Sequence, residues 1–245
     1  MITSLQNPKV KQWLKLHKRK GRKQSGMFLV EGFHLVEEAV QSNWEIDDII
    51  VEEGIDCPDW CRAFMPVLVN NKVMQQITRT ESPQGIAAVV KMTEPKVGVR
   101  DKILIIDSIQ DPGNLGTMIR TADAAGFDMV VLGEGTVDVY NDKVVRATQG
   151  SLFHVPIVHA ILTSMIPVLQ TEGVVVWASA LADAIPFHQA KAGDKAALVI
   201  GNEGAGIDDA IIALADQTVN IPIYGQAESL NASVAAGILM YSLIR

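Results

Sequence analysis

At 245 residues with 48% apolar side chains, the chain is long enough to bury the core of one large α/β domain, or of one such domain plus a small one. No stretch approaches the roughly 18 consecutive apolar residues of a membrane span. The basic start is not followed by the apolar core of a secretory signal, so a soluble, cytoplasmic protein is expected. The formal charge of −7 is unevenly spread: residues 1–26 hold eight Lys/Arg and no acid. An acidic body behind a cationic arm is the pattern of a polyanion binder.

In chain order, residues 8–24 are expected as a helix that starts at Pro8, with Val10, Trp13, Leu14 and His17 on one packing stripe. Lys9, Lys11, Lys15, Lys18, Arg19, Lys20, Arg22 and Lys23 would occupy the other faces. An ordinary solvated face is one reading of such a run; the absence of balancing acids favours contact with RNA or DNA phosphates. Strands at 27–30, 48–51, 67–69 and 85–91 alternate with helices at 34–41 and 71–77, which makes a small α/β module. Cys57 and Cys61 have no second pair and no nearby histidine to complete a metal site, so two reduced thiols are expected and no metal. Residues 92–101, with Pro95 and Gly98, read as a linker. A boundary near residue 98 separates domains 1–98 and 99–245.

The second domain has the stronger pattern. Apolar strands at 103–106, 129–132, 153–158, 174–179, 197–200 and 219–223 alternate with helices at 114–125, 142–148, 161–169, 208–214 and 230–244. Continuous apolar strands between helices imply a mostly parallel sheet covered on both faces, with ligands at the carboxyl ends of the strands. The final helix is apolar nearly all round and must be buried in the core or against another subunit.

Two strands of this domain end in polar turns: 197–200 runs into Gly201-Asn202-Glu203-Gly204, and 219–223 into a loop that reaches Ser229-Leu230-Asn231. The loop after 103–106 contains Gly113 and Gly116 but matches neither G-x-G-x-x-G nor G-x-x-x-x-G-K-S/T, which disfavours a dinucleotide or P-loop site. Three stretches instead carry a family resemblance: Asp111-Pro-Gly-Asn-Leu-Gly-Thr-Met-Ile-Arg120 and its continuation to Gly126, Ile200-Gly-Asn-Glu-Gly-Ala-Gly206, and Ile221-Pro222 with Ser229-Leu-Asn-Ala-Ser-Val-Ala-Ala-Gly237. In this order they resemble the three motifs of the SpoU (TrmH) family of SPOUT methyltransferases. The resemblance spans about residues 102–245 and includes Lys143-Val-Val-Arg-Ala-Thr-Gln-Gly150. The first hundred residues are similar to the substrate-binding domain that precedes the catalytic domain in many members.

The resemblance implies an α/β fold whose C-terminal part is a deep trefoil knot, and transfer of a methyl group from S-adenosylmethionine to a ribose 2′-hydroxyl. The substrate would be RNA, rRNA before tRNA; a non-catalytic RNA-binding or ribosome-assembly protein of the same fold is the alternative. It places Arg120, Asn114, Glu203, Ser229 and Asn231 in the catalytic motifs. The cofactor would be held by Ser179, Ala180, Leu181, Ile200, Gly201, Asn202, Glu203, Gly204, Ile221, Pro222, Ile223, Ser229 and Leu230. It also implies homodimers that complete each site across the interface, and Arg146 becomes a candidate RNA phosphate contact. A guanidinium with a pKa above about 12 is a poor base, so Arg120 is assigned to orientation and to charge stabilisation of the forming alkoxide, with base action as the weaker alternative. Asn114, Ser229 and Asn231 could equally be helix caps, because each stands near a helix start.

Overall fold

The computed structural model describes residues 1–95 and 100–244, so the boundary placed near residue 98 lies outside the described residues. The chain forms two compact units: residues 1–94 with 138–154, and residues 95–137 with 155–245.

In the first unit, α1 (Pro8–Lys15), α2 (Arg19–Ser25) and β1 (Met27–Glu31) precede α3 (Phe33–Gln41) and β2 (Ile46–Glu52). They are followed by a short α4 (Asp59–Arg62), β3 (Val67–Val69), α5 (Asn71–Ile77) and β4 (Ile86–Lys91). The sheet order is β1-β4-β2-β3, antiparallel except for the β2–β3 pair. The single helix expected over 8–24 is broken in two. Gly21 lies so close to the Lys15 carbonyl that no Cβ fits there, and a fold-back this tight separates α1 from α2. Val10, Trp13 and Leu16 pack onto the sheet beside Val73, Met74 and Ile77 of α5. His17 is half-buried, and its Nε2 has no hydrogen-bond partner among the described residues. Burial, with Arg79 and Arg22 nearby, lowers its pKa and keeps the ring neutral as a packing group. Cys57 and Cys61 are joined as a disulfide, not held as two thiols, because the turn into α4 brings their Cα atoms to 6.0 Å.

Residues 138–154, which chain order assigns to the second domain, pack within the first unit. They contain α7 (Asp142–Thr148), and their aromatic side chains explain the placement. Phe28 of β1 meets Tyr140 at 4.7 Å and Phe153 at 6.4 Å between ring centroids, and Trp44 meets Phe153 at 5.4 Å. Burial, then the nearby Asp138 carboxylate, pushes the Tyr140 phenol up to about 12, so it stays neutral in this cluster.

The second unit is built on seven parallel strands in the order β7-β6-β5-β10-β8-β11-β9. They are β5 (Lys102–Ile106), β6 (Met129–Leu132), β7 (Ile157–His159), β8 (Val175–Ser179), β9 (Ile185–Pro186), β10 (Ala196–Ile200) and β11 (Gln217–Asn220). The helices are α6 (Pro112–Ala124), α8 (Leu162–Thr171), α9 (Asp209–Ile212) and α10 (Ala232–Leu243). Ile103 to Ile106 are all fully buried, as a central strand covered on both faces requires. One sheet face carries Ile103, Ile105, Val131, Val176 and Val199 against Leu162 and Ile166 of α8. On the other, α10 packs against α6 and β10. β7 starts later than expected because Pro156 lacks the N–H a ladder needs. β11 ends at Asn220, which frees Ile221 and Ile223 for the loop beyond it. Among the described residues, no helix is long and apolar enough to cross a membrane.

Candidate active site

β8, β10 and β11 end side by side at Ser179, Ile200 and Asn220, and a cavity of about 430 Å³ opens at these carboxyl ends. Ser179, Ala180, Leu181, Ile200, Gly201, Asn202, Glu203, Gly204, Ile221, Ile223, Ser229 and Leu230, named above as cofactor-holding residues, all line it. Pro222 is not among the lining residues. Ile207, Ile212, Asn220, Ala232 and Ala235 also line the wall and were missed. Ala232 and Ala235 could have been found: small residues three apart at the start of an apolar helix leave room beside its first turn.

The middle turn is rigid for reasons its residues make plain. Asn202 and Gly206 exchange main-chain hydrogen bonds of 2.8 and 3.0 Å. The Asn202 side-chain oxygen accepts from the N–H groups of Gly204 and Ala205 at 2.9 and 3.0 Å, and its Nδ2 donates to the Ser108 carbonyl at 2.8 Å. Gly206 has φ +78°, and a Cβ on Gly201 would fall inside the backbone of Gly206 and Ile207. The loop therefore closes on itself only because position 201 carries no side chain. Asp107, buried at the end of β5, accepts the Asp208 N–H at 2.8 Å and fixes where the turn rejoins the fold.

Glu203 joins this turn to the first motif. Its Oε1 accepts from the Asp111 N–H at 3.2 Å and from Asn114 Nδ2 at 3.0 Å, and its Oε2 accepts from the Gln110 N–H at 3.3 Å. Asn114 is buried and in turn accepts from Asn231 Nδ2 at 3.0 Å. Asn231 caps α10, its side-chain oxygen accepting from the Ser233 and Val234 N–H groups at 2.9 and 3.3 Å. One hydrogen-bonded chain, Glu203–Asn114–Asn231, thus links signature residues of all three motifs. Asn114 is not the cap of α6; Asp111 is, accepting the Asn114 N–H at 2.7 Å. Ser229 lines the cavity in an exposed loop.

Arg120 stands on the solvent-exposed flank of α6 and does not line this cavity. No hydrogen bond or ion pair engages it among the described residues. The helix explains the contrast with Asn114: six residues advance about 240° around the axis, so one side chain turns inward and the other outward.

A family profile described as the SpoU rRNA methylase family matches residues 101–241, more than half of the chain. The chain belongs to the SpoU rRNA methylase family. A second profile, the MRM3-like substrate binding domain, matches residues 7–88. The 23S rRNA (guanosine(2553)-2'-O)-methyltransferase RlmP of Bacillus subtilis (strain 168) is 47% identical over 243 residues, covering 99% of this chain and 98% of that protein. The AdoMet-bound rRNA methyltransferase of Sinorhizobium meliloti superposes with a TM-score of 0.89 at 32% identity, covering 99% and 96% of the two chains. The SpoU methyltransferase AviRb of Streptomyces viridochromogenes, in complex with the cofactor AdoMet, gives 0.87 at 28% identity over 98% and 97%.

Within this SpoU-family chain the expected RNA-contacting cations separate into two groups. Lys11, Lys15, Lys18, Arg19, Lys20 and Lys23 are exposed on α1, α2 and the turn between them. Arg22 is not: it is 5% exposed, donates to the Leu16 carbonyl at 2.8 Å and pairs with Asp138 at 2.7 Å, so it holds the arm to the fold. Lys9 is paired with Asp48 at 2.6 Å, and Arg146 with Asp142 at 3.1 Å. These three are committed to neighbours before any phosphate arrives.

Burial alone would raise the Glu203 pKa, but hydrogen bonds from the Asn114 amide and from main-chain N–H groups outweigh it and hold the carboxyl below the usual 4.5. A carboxylate depressed in this way stabilises the fold above its unfolded pKa and ceases to do so as pH falls through its folded value. The melting difference between wild type and Glu203→Gln should accordingly be full at neutral pH and shrink steadily below about pH 4.5. A difference that does not change with pH would show that the charge plays no part in joining the motifs.

Proposed function

We propose that this chain transfers a methyl group from S-adenosylmethionine to a ribose 2′-hydroxyl of rRNA, using the cavity at the ends of β8, β10 and β11. The observation that carries the reading is the Glu203–Asn114–Asn231 chain, which ties three sequence-distant motifs to the rim of a single hollow. The cofactor fits what lines it. Apolar Ile200, Ile207, Ile212, Ile223 and Leu230 suit a stacked heterocycle, and the main-chain groups of the glycine turn suit its polar substituents. When bound, the cofactor supplies an already activated methyl group, so the protein is left with positioning, water exclusion and charge stabilisation. Arg120 meets the developing negative charge on the ribose oxygen. The C-terminal segments follow the trefoil path that the family resemblance implies.

Arg120 reaches the reaction from a second copy of the chain. Val234, Ile238 and Tyr241 lie on one stripe of α10 and are 51, 39 and 47% exposed, large apolar groups without cover in one subunit. The same helix crosses α6 next to Arg120: a Cβ on Gly237 would lie 3.6 Å from Thr121 Cγ2. Closing the stripe in a homodimer would bring each Arg120 to the interface. Light scattering at micromolar concentration should give twice the chain mass, and the Val234→Glu, Ile238→Glu pair should give monomers without activity. A wild-type monomer that is fully active would contradict this arrangement.

The exposed cations of α1 and α2 attract the RNA backbone through counterion release. Replacing Lys18 and Lys20 together by alanine should lower the slope of log affinity against log salt by about 1.4–1.8, whereas Lys9→Ala should leave it close to wild type. An rRNA substrate places the protein in the cytoplasm, where the Cys57–Cys61 link faces reduction. The activity is tested by incubating the purified chain with labelled S-adenosylmethionine and unmodified 23S rRNA, tRNA as the competing substrate, and mapping alkali-resistant linkages. Label in a ribose of 23S rRNA is expected; label only in tRNA, only in bases, or nowhere would overturn the reading.

A further inference from the structure

The first unit holds another polar cavity, of about 220 Å³, that methyl transfer does not use. It lies between the end of β1, the loop after α5 and the end of α7. Glu31 and Arg146 line it, and each has one buried atom whose hydrogen bonding is incomplete. The Glu31 side chain is 6% exposed; one oxygen accepts the Arg79 N–H at 2.8 Å, and Oε2 has no hydrogen-bond partner among the described residues. Arg146 Nη1 is 3.8 Å from that oxygen, within ion-pair range but beyond hydrogen-bond length, and likewise lacks a hydrogen-bond partner there. A buried polar atom left without a hydrogen bond is destabilising, so an adjacent pair beside a hollow calls for an explanation. Burial raises the Glu31 pKa, and the Arg79 N–H, Arg146 and the Thr80 N–H offset it only in part, as expected of a carboxylate short of donors. The outer wall is neutral and polar, with Thr80 half-buried and Ser82 and Gln84 exposed at the mouth.

We propose that this cavity receives one unstacked RNA base, which donates an N–H to Glu31 Oε2 and accepts from Arg146 Nη1. The edge of every base places a donor beside an acceptor, and bases in single-stranded RNA are read in such pockets. A phosphate would be repelled by Glu31, whereas a neutral base completes both orphaned groups at once. The same unit carries the exposed cations of α1 and α2, which supply attraction to the backbone; the pocket adds a contact to a base itself. This inference rests on the RNA-substrate reading above and adds where, in the first unit, a base is recognised.

The test uses the full-length chain, in vitro transcribed 23S rRNA and two variants. Glu31→Gln weakens the inner acceptor, and Ser82→Trp plugs the exposed mouth without touching the core. Both should weaken RNA binding by about tenfold or more, the size of one lost charge-assisted hydrogen bond or an excluded base. S-adenosylhomocysteine affinity and the salt slope should stay at wild-type values in both variants, and the melting temperature in Ser82→Trp. Wild-type RNA affinity in Ser82→Trp would overturn the pocket while leaving the function intact. Should the wild-type chain bind S-adenosylhomocysteine yet neither bind nor methylate any rRNA, the RNA-substrate reading fails and the pocket falls with it.

Discussion

Replacing Arg120 by alanine should lower methyl transfer by about 10²–10³-fold or more while S-adenosylhomocysteine binds as to wild type. The split follows from where the side chain sits. Arg120 is exposed on α6 and outside the cavity wall of its own subunit, so its removal takes nothing from that wall and leaves no buried group unpaired. If it acts when charge develops on the attacking oxygen, as proposed, a fixed cation there stabilises the transition state more than the ground state. A guanidinium does not readily give up its proton, so a lysine at this position should recover part of the rate through charge alone but lose the planar, forked geometry. Transfer by Arg120→Ala within a few fold of wild type would remove this residue from the mechanism. Loss of cofactor binding in that variant would mean that Arg120 helps to build the pocket instead.

The second large effect is expected at Gly201. An alanine methyl there has nowhere to go, because the backbone of Gly206 and Ile207 occupies the position of its Cβ. The 201–206 turn must open to admit it, which breaks the Asn202–Gly206 pair and moves Glu203 from its place beside Asn114. Overpacking of this kind costs about 1–3 kcal/mol in stability. The larger consequence is local: S-adenosylhomocysteine affinity should fall by about tenfold or more, since each 1.4 kcal/mol of lost preorganisation is a factor of ten. Calorimetric titration with a parallel thermal melt separates the two contributions. Gly225→Ala is the control, since a Cβ there meets nothing within 4 Å and the residue does not line the cavity. Equal behaviour of the two alanine variants would show that the close approach at Gly201 is not what shapes the pocket.

Most of the second unit was legible because its signals are local. The strand at 103–106 is a short apolar run, and burial on both faces is what such a run means; the glycines after Ile200 announce a tight turn by composition alone. Arg120 could be assigned to a motif, but its exposed place on α6, outside the cavity wall, could not be read from that motif. Asn114 was the least readable of the motif residues. From sequence it could pass for a cap, yet Asp111 takes that role and Asn114 becomes the middle link between Glu203 and Asn231, partners 89 and 117 residues away.

The first unit was harder to read for the same physical reason. Eight cations on one expected helix look alike in sequence, but Arg22 is drawn inward by Asp138, which lies 116 residues downstream. The placement of residues 138–154 likewise depends on Phe28 and Trp44 meeting Tyr140 and Phe153, contacts that no periodicity encodes. The break between α1 and α2 is set by one close approach at Gly21 that hydrophobic spacing does not reveal.

A structure determined with S-adenosylhomocysteine bound should hold the ligand between the 179–182 segment, the 201–206 turn and the 221–230 loop, with the Glu203–Asn114–Asn231 bonds intact and the partner's Arg120 facing its sulfur. Ligand seated elsewhere, or those three bonds broken when it binds, would contradict it.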